Sequence, residues 1–320
     1  MRSPPVKDPP LLLTLISSYA FLLAFLLTPI AITLYPSLVD SSTGRLSPIN
    51  FQLFFSDSLM VESFFNSVWV AVLTVAGTSF IAVPLAYLNA RYIFAGREYF
   101  QTLLILPLIL PPFVGALGFL RFFGRSGTFN LLTFHLLGSR LIDLQSLLGV
   151  VFVQTMHLFP IVYLSVLNAL VNIDPSVEEC ARNLGASGWR VFRSVTFPLT
   201  MPGYVAGIII IFMWSFSDLG TPLFLLGSSA RLLAPQAFLL FQSLVAHVFA
   251  SVISVIMLVV AFAAIFLARR YVSLRQYATL SSGLPPSILA HRLKGPKARI
   301  VLILLALLSV FSLLPHIGIA

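Results

Sequence analysis

Seven stretches of this 320-residue chain are each long and apolar enough to cross a lipid bilayer, and that pattern removes most folds from consideration. A crossing helix needs ~20 mostly apolar residues, because the hydrocarbon core is ~30 Å thick and each residue rises about 1.5 Å. The stretches are 11–35, 61–89, 101–120, 146–171, 203–227, 243–268 and 298–319. Charged residues make up only 9% of the chain, against roughly 25% in a soluble domain, so most of its surface must face lipid. With no water in the bilayer core to satisfy the backbone, apolar runs of this length must cross it as helices. The expected fold is an all-α polytopic transmembrane helix bundle. The run at 11–35 is longer than the roughly 7–15 residues of a signal-peptide core and is read as an uncleaved first span.

The net charge of +9 fits this picture, because basic residues between apolar spans set orientation and touch anionic headgroups; no nucleic-acid partner is implied. With the N-terminus in the cytoplasm, 14 of the 19 Lys and Arg residues fall in inside segments. Only Arg45, Arg121, Arg125, Arg140 and Arg231 fall outside, a positive-inside bias. The segments from Pro36 to Ser58 and from Gly124 to Gln145 then face outward, with room for short interfacial helices. Cys180 is the only cysteine and the five histidines are scattered, so no metal framework is expected.

The inside loop 172–200 carries the most information. Asp174 is a helix N-cap candidate with Pro175 at the first helical position; alternatively Ser176 and Glu179 form a capping box. Gly185 sits where a left-handed cap would end this helix. Ser187 is the next N-cap candidate, and a second short helix is expected from about Gly188 to Val195, ending before Pro198. Trp189, Phe192 and Val195 share one of its faces, flanked by Arg190 and Arg193. That face suits either docking of a partner or simple rest on the inner leaflet.

The loop resembles the conserved loop of binding-protein-dependent ABC transporter permeases of the type I importer class. That pattern is Glu-Ala-Ala, three residues, Gly, nine residues, then Ile-x-Leu-Pro. Here it reads Glu179-Cys180-Ala181, Gly185 and Val195-Thr196-Phe197-Pro198, with the spacing intact. Cys180, Val195 and Phe197 depart from it by small or apolar replacements. The resemblance covers roughly residues 11–275 and implies a permease bundle of the MetI-like kind. It implies that the loop is a coupling helix docked on a cytoplasmic ATP-binding subunit. In that role Glu179 anchors the helix by pairing with basic groups, and Gly185 permits the turn. Ala181, Ala186, Ser187, Trp189, Arg190, Phe192 and Pro198 belong to the same coupling segment. No phosphate-binding loop of the G-x-x-x-x-G-K-[ST] type occurs, so the nucleotide chemistry must lie in a partner and the chain itself is not expected to be an enzyme or to hold a cofactor.

Ser217-Asp218-Leu219-Gly220-Thr221-Pro222 in the fifth span looks like the ferric iron permeases and their relatives for phosphonate, thiamine and polyamines. Iron is thereby the first substrate expected. Asp218 is the only acid away from the very end of a span (Glu62 opens the second), and an unpaired carboxylate there costs ~2.5–3.5 kcal/mol, so it should face the bundle interior. Gly220 and Pro222 after it should break or kink the helix. Asp218 then either touches a cationic substrate on the translocation pathway or caps loosened backbone. His157 with Pro160 is a weaker case of the same kind, and Pro107, Pro111 and Pro112 should kink the third span. An ion-coupled secondary transporter would need more charges within its spans, and a membrane-embedded enzyme would need a cluster of acids and histidines on facing spans.

Residues 276–297 read as a polar, basic cytoplasmic linker and 298–320 as a further span. Like the first span, it follows a basic, proline-containing stretch and closes on a proline. The expectation is a first permease half of six helices over 1–275, followed by the first helix of a second half. The partners expected are the ATP-binding subunit, a second permease half, a periplasmic or extracellular substrate-binding protein and membrane lipid. The place expected is the inner membrane of a bacterium or archaeon.

Overall fold

The computed structural model describes residues 9–40, 42–109, 111–242, 247–274 and 291–319. Its helices are α1 (Pro9–Leu22), α2 (Thr28–Leu38), α3 (Ile49–Ser56), α4 (Ser58–Arg91), α5 (Arg97–Ile105), α6 (Pro112–Phe123), α7 (Thr128–Leu137) and α8 (Leu147–Val171). They continue with α9 (Pro175–Asn183), α10 (Gly188–Val191), α11 (Phe197–Phe216), α12 (Gly220–Leu226), α13 (Leu233–Gln242), α14 (His247–Leu274) and α15 (Pro296–Ile319). Two short strands, β1 (Tyr92–Ile93) and β2 (His291–Arg292), pair in parallel. Among the described residues six helical segments are long and apolar enough to cross a membrane. The helices α3 and α7 lie in the two segments expected to carry short ones.

The bundle is built around α8, of whose most apolar stretch 67% is buried. One face of α4 carries small residues at Ser63, Ser67, Ala71, Thr74, Thr78, Ala82, Ala86 and Ala90, all buried. Their spacing of three and four residues makes a flat stripe that lets α4 lie close along α8. The large side chains come from α8: Leu158, Phe159 and Tyr163 fill the space beside Ala82, Ala86 and, from α11, Ile211.

The prolines do more than kink the third span. The helix α5 tightens into a 3₁₀ turn over Leu106–Leu108 and stops; α6 begins at Pro112 after Pro111 in an extended conformation (φ −58°, ψ 145°). Successive prolines remove backbone donors and disfavour the helical region for the residue before them.

The fifth span is also shifted. The sequence placed it at 203–227 after a helix that ended before Pro198. Instead α10 runs through a π-helical turn at Phe192–Thr196 straight into α11, giving one helical segment from Gly188 to Phe216. Pro198 directly follows this wide turn, whose extra room takes up a ring that would clash with the preceding turn of a regular helix. At the other end the helix does break, at Ser217–Leu219, as Gly220 and Pro222 led one to expect. The segment that follows bends by 67° before α13.

The segment expected as a seventh span, α15, is the last of the six long apolar helices among the described residues, because the stretch at 101–120 is broken, and it is seated on α6. Phe311 lies among Phe119, Phe123 and Phe152, and Leu305 is buried. Gly118 of α6 meets Pro315 so closely that a Cβ there would fall 2.4 Å from Pro315 backbone atoms.

Candidate functional site

The loop 172–200 folds as the spacing of its capping residues dictates. Asp174, not Ser176, caps α9: its Oδ1 accepts the Ser176 N–H at 2.9 Å. The far end closes with a pair of bonds, Gly185 N–H to Arg182 O (2.9 Å) and Ala186 N–H to Ala181 O (3.1 Å). This double closure requires a left-handed residue between the helices, and Gly185 has φ +83°. Nothing lies within 4 Å of where its Cβ would be, so backbone conformation and not space demands glycine. Ser187 occupies the N-cap position of α10, but its side chain makes no capping bond.

Two sides of this helical pair differ in chemistry. The outward side, from Arg182 to Arg190, is exposed except for the half-buried Ala186. Leu184 is 90% exposed and Trp189 70%. The Trp189 ring stacks on Phe192 (5.5 Å between centroids), and Phe192 in turn meets Tyr87 of α4 edge-on at 5.1 Å. The apolar face expected from Trp189, Phe192 and Val195 is thus divided. Trp189 projects outward, while Phe192 and Val195 are half-buried. Leu184 was missed by the sequence reading. Its signal was a large apolar residue directly before the glycine that ends a polar helix.

The inward side corrects the expected anchor. Glu179 is exposed, and the acid that pairs is its neighbour Glu178, 4% exposed. Arg91, the last residue of α4, forms an ion pair with Glu178 Oε1. Thr196 Oγ1 donates to the same oxygen at 2.9 Å, and Arg182 Nη2 reaches Oε2 at 3.4 Å. Adjacent residues on a helix point about 100° apart, so only one of two neighbouring acids can face in.

The second group sits at the break after α11. Gln154 of α8 accepts from Thr74 Oγ1 (3.0 Å) and Ser215 Oγ (2.6 Å) and donates from Nε2 to Asp218 Oδ2 (2.9 Å). The other oxygen of Asp218 accepts the Thr221 N–H at 3.2 Å and so caps α12. Asp218 is half-buried at the edge of an open groove of about 470 Å³, lined also by Ile210, Met213, Trp214, Ser217 and Leu219. Gly220 packs against Phe113 of α6, and Pro222 is buried. His157 is buried with its ring 6.5 Å from Trp214. Asp218 thus holds backbone at the break while lining the groove. Among the described residues no group of three His, Cys, Asp or Glu side chains gathers as for a metal ion.

Residues 79–276 match the family described as "Binding-protein-dependent transport system inner membrane component". A probable molybdenum ABC transporter permease protein of Haloferax volcanii is 30% identical over 203 residues, 63% of this chain and 73% of that protein. A putative ferric transport system permease protein of Haemophilus influenzae is 29% identical over 226 residues, 70% of this chain but 35% of that longer protein. Among solved structures, a bacterial ABC transporter involved in import of the acidic polysaccharide alginate superposes with a TM-score of 0.66 at 18% identity, over 82% of this chain and 96% of that one. The fold and the matched residues place the chain plainly: it belongs to the family of inner-membrane permease components of binding-protein-dependent ABC transport systems.

Proposed function

We propose that this chain is the permease subunit of an ATP-driven importer, and that its 172–200 loop is the surface an ATP-binding subunit grips. The observation that carries this reading is the pair Leu184 and Trp189. Both are large apolar residues, mostly exposed, on a helical corner closed by Gly185 and rimmed by Arg182, Arg190 and Arg193. An aromatic anchor with arginines beside it has the composition of an interface centre. On this reading the loop and the N-terminus are cytoplasmic. Glu179, Ala181, Gly185, Ala186, Ser187, Trp189, Arg190, Phe192 and Pro198 form the coupling segment. A binding protein delivers substrate from the opposite side, and a second permease half completes the pathway.

Residues 298–320 would open that second half. The ferric relative supports this, since the match covers only about a third of its length. Asp218, Gly220 and Pro222 would act on the pathway by holding the joint between α11 and α12 beside the groove. The substrate class is a small inorganic ion. Ferric iron keeps its place through the ferric relative, and a molybdenum oxyanion is the second reading through the other. Each oxygen of Asp218 accepts one hydrogen bond from the protein, which leaves lone pairs open, and the assignment between the two ions rests on the relatives alone.

The test is copurification of the ATP-binding subunit with the complete permease. Trp189→Ala with Leu184→Ala should lose it while the permease stays folded and monodisperse; undiminished retention sinks the docking reading. For the substrate, ATP hydrolysis by the reconstituted importer should rise with binding protein loaded with ferric ion. A rise with molybdate alone moves the assignment to the oxyanion.

A further inference from the structure

The carboxylate of Glu178 sits where three elements that must move together come within reach of one side chain. It belongs to α9, it pairs with the terminal residue of α4, and it accepts a hydrogen bond from the π turn that leads into α11. The two ionised side chains are 5% and 12% exposed. An ion pair this buried resists opening, because separating it leaves a charge without solvent or partner. The loop's other contacts with this end of α4 are apolar: Phe192 meets Tyr87 edge-on, and Ile173 is buried in the cluster that holds Ala86 and Ala90. Rings slide over one another; a charge-assisted bond has direction.

The mechanical consequence differs for the two helices. Helix α11 needs no joint, since α10 runs into it without a break. Helix α4 is 34 residues long and packs along α8 by its small-residue stripe, tied to it by the Thr74–Gln154 bond. Its end at Arg91 is the place where a push on the loop can enter it. We propose that Glu178 is the positioning residue that locks α4 to the coupling loop, so that a displacement of α9 and α10 carries α4 and α11 together. This rests on the reading that an ATP-binding subunit grips the loop. Glu179, one residue on and exposed, remains free for that subunit to contact.

The experiment uses the assembled importer in nanodiscs, with Cys180→Ala and spin labels on cysteines replacing Phe65 of α4 and Leu132 of α7, both exposed. The distance between labels is measured without nucleotide and with ATP plus vanadate. In the parent protein the distribution should shift on trapping. Glu178→Gln, and the apolar pair Arg91→Met with Glu178→Met, should keep the ATP-binding subunit and its hydrolysis while the shifted fraction falls by about tenfold, within the usual span of a coupling effect. The apolar pair guards against misfolding, since replacing both charges together removes the unpaired one. If the pair holds the subunit and shifts like the parent, the inference is overturned. It is equally overturned if the pair no longer holds the subunit, for the clasp is then a fold staple. If the parent itself retains no subunit or shows no shift, the docking reading fails instead.

Discussion

At the scale of single residues, backbone conformation decides more than contacts. Gly185 illustrates it: the space around it is empty, yet its φ of +83° is closed to a side chain at a cost of about 1–2 kcal/mol. Gly185→Ala should lower the thermal stability of the solubilised permease by about that amount and misdirect Trp189. The check is a melting curve together with retention of the ATP-binding subunit; a full-stability, full-retention variant would refute the argument. This glycine was legible in the sequence because helix ends are local: Asp174, Pro175 and Gly185 mark them within a dozen residues. The anchor was not. Whether Glu178 or Glu179 faces inward depends on Arg91, 87 positions earlier, and on Thr196, neither of which any local rule connects to it. The resemblance pointed to Glu179 by spacing alone, and packing chose its neighbour.

At the scale of elements, the joint between α11 and α12 shows how a break in a buried helix is made tolerable. Ending α11 at Phe216 loosens backbone groups in surroundings poor in water. Asp218 caps the Thr221 N–H, and Gln154 fixes Asp218 while satisfying Thr74 and Ser215. Gln154 is thus a hub between α4, α8 and the joint. Gln154→Leu, nearly equal in size, strips partners from two buried hydroxyls and a carboxylate oxygen at once. At about 1–3 kcal/mol for a group left unsatisfied, the loss should be among the largest single-residue effects in the bundle. Thr74→Val, which drops one bond, should cost far less. Thermal unfolding of both variants in one detergent checks the ranking, and equal losses would mean that the network is not shared. The sequence showed that the helix must break here, since Gly220 and Pro222 are local signs. It did not show the polar network, because Gln154 in an apolar run of α8 carries no mark of its destination.

At the scale of the whole molecule, the apolar pattern counts the helices but leaves their seating open. The first span and α15 look alike in sequence, yet their surroundings differ. None of the most apolar stretch of Pro10–Leu38 is buried within the chain, whereas α15 settles into α6 with Leu305, Ser309 and Ser312 buried. The decisive fit is Gly118 beneath Pro315, where backbone meets backbone and no flexible side chain can yield. An added side chain there must move a whole helix, so Gly118→Val should exceed the usual overpacking cost of about 1–3 kcal/mol. Phe119 and Phe311 face each other across the same contact with ring centroids 6.1 Å apart, so cysteines in their places report the seating directly. In a Cys180→Ala background the Phe119→Cys, Phe311→Cys pair should be bridged by a bifunctional thiol reagent long enough to replace the two rings, and adding Gly118→Val should abolish most of that yield. If the cross-link survives, α15 is held by something other than the glycine contact. If it is lost while α4 and α8 remain packed, the glycine contact seats α15 without holding the rest of the bundle together.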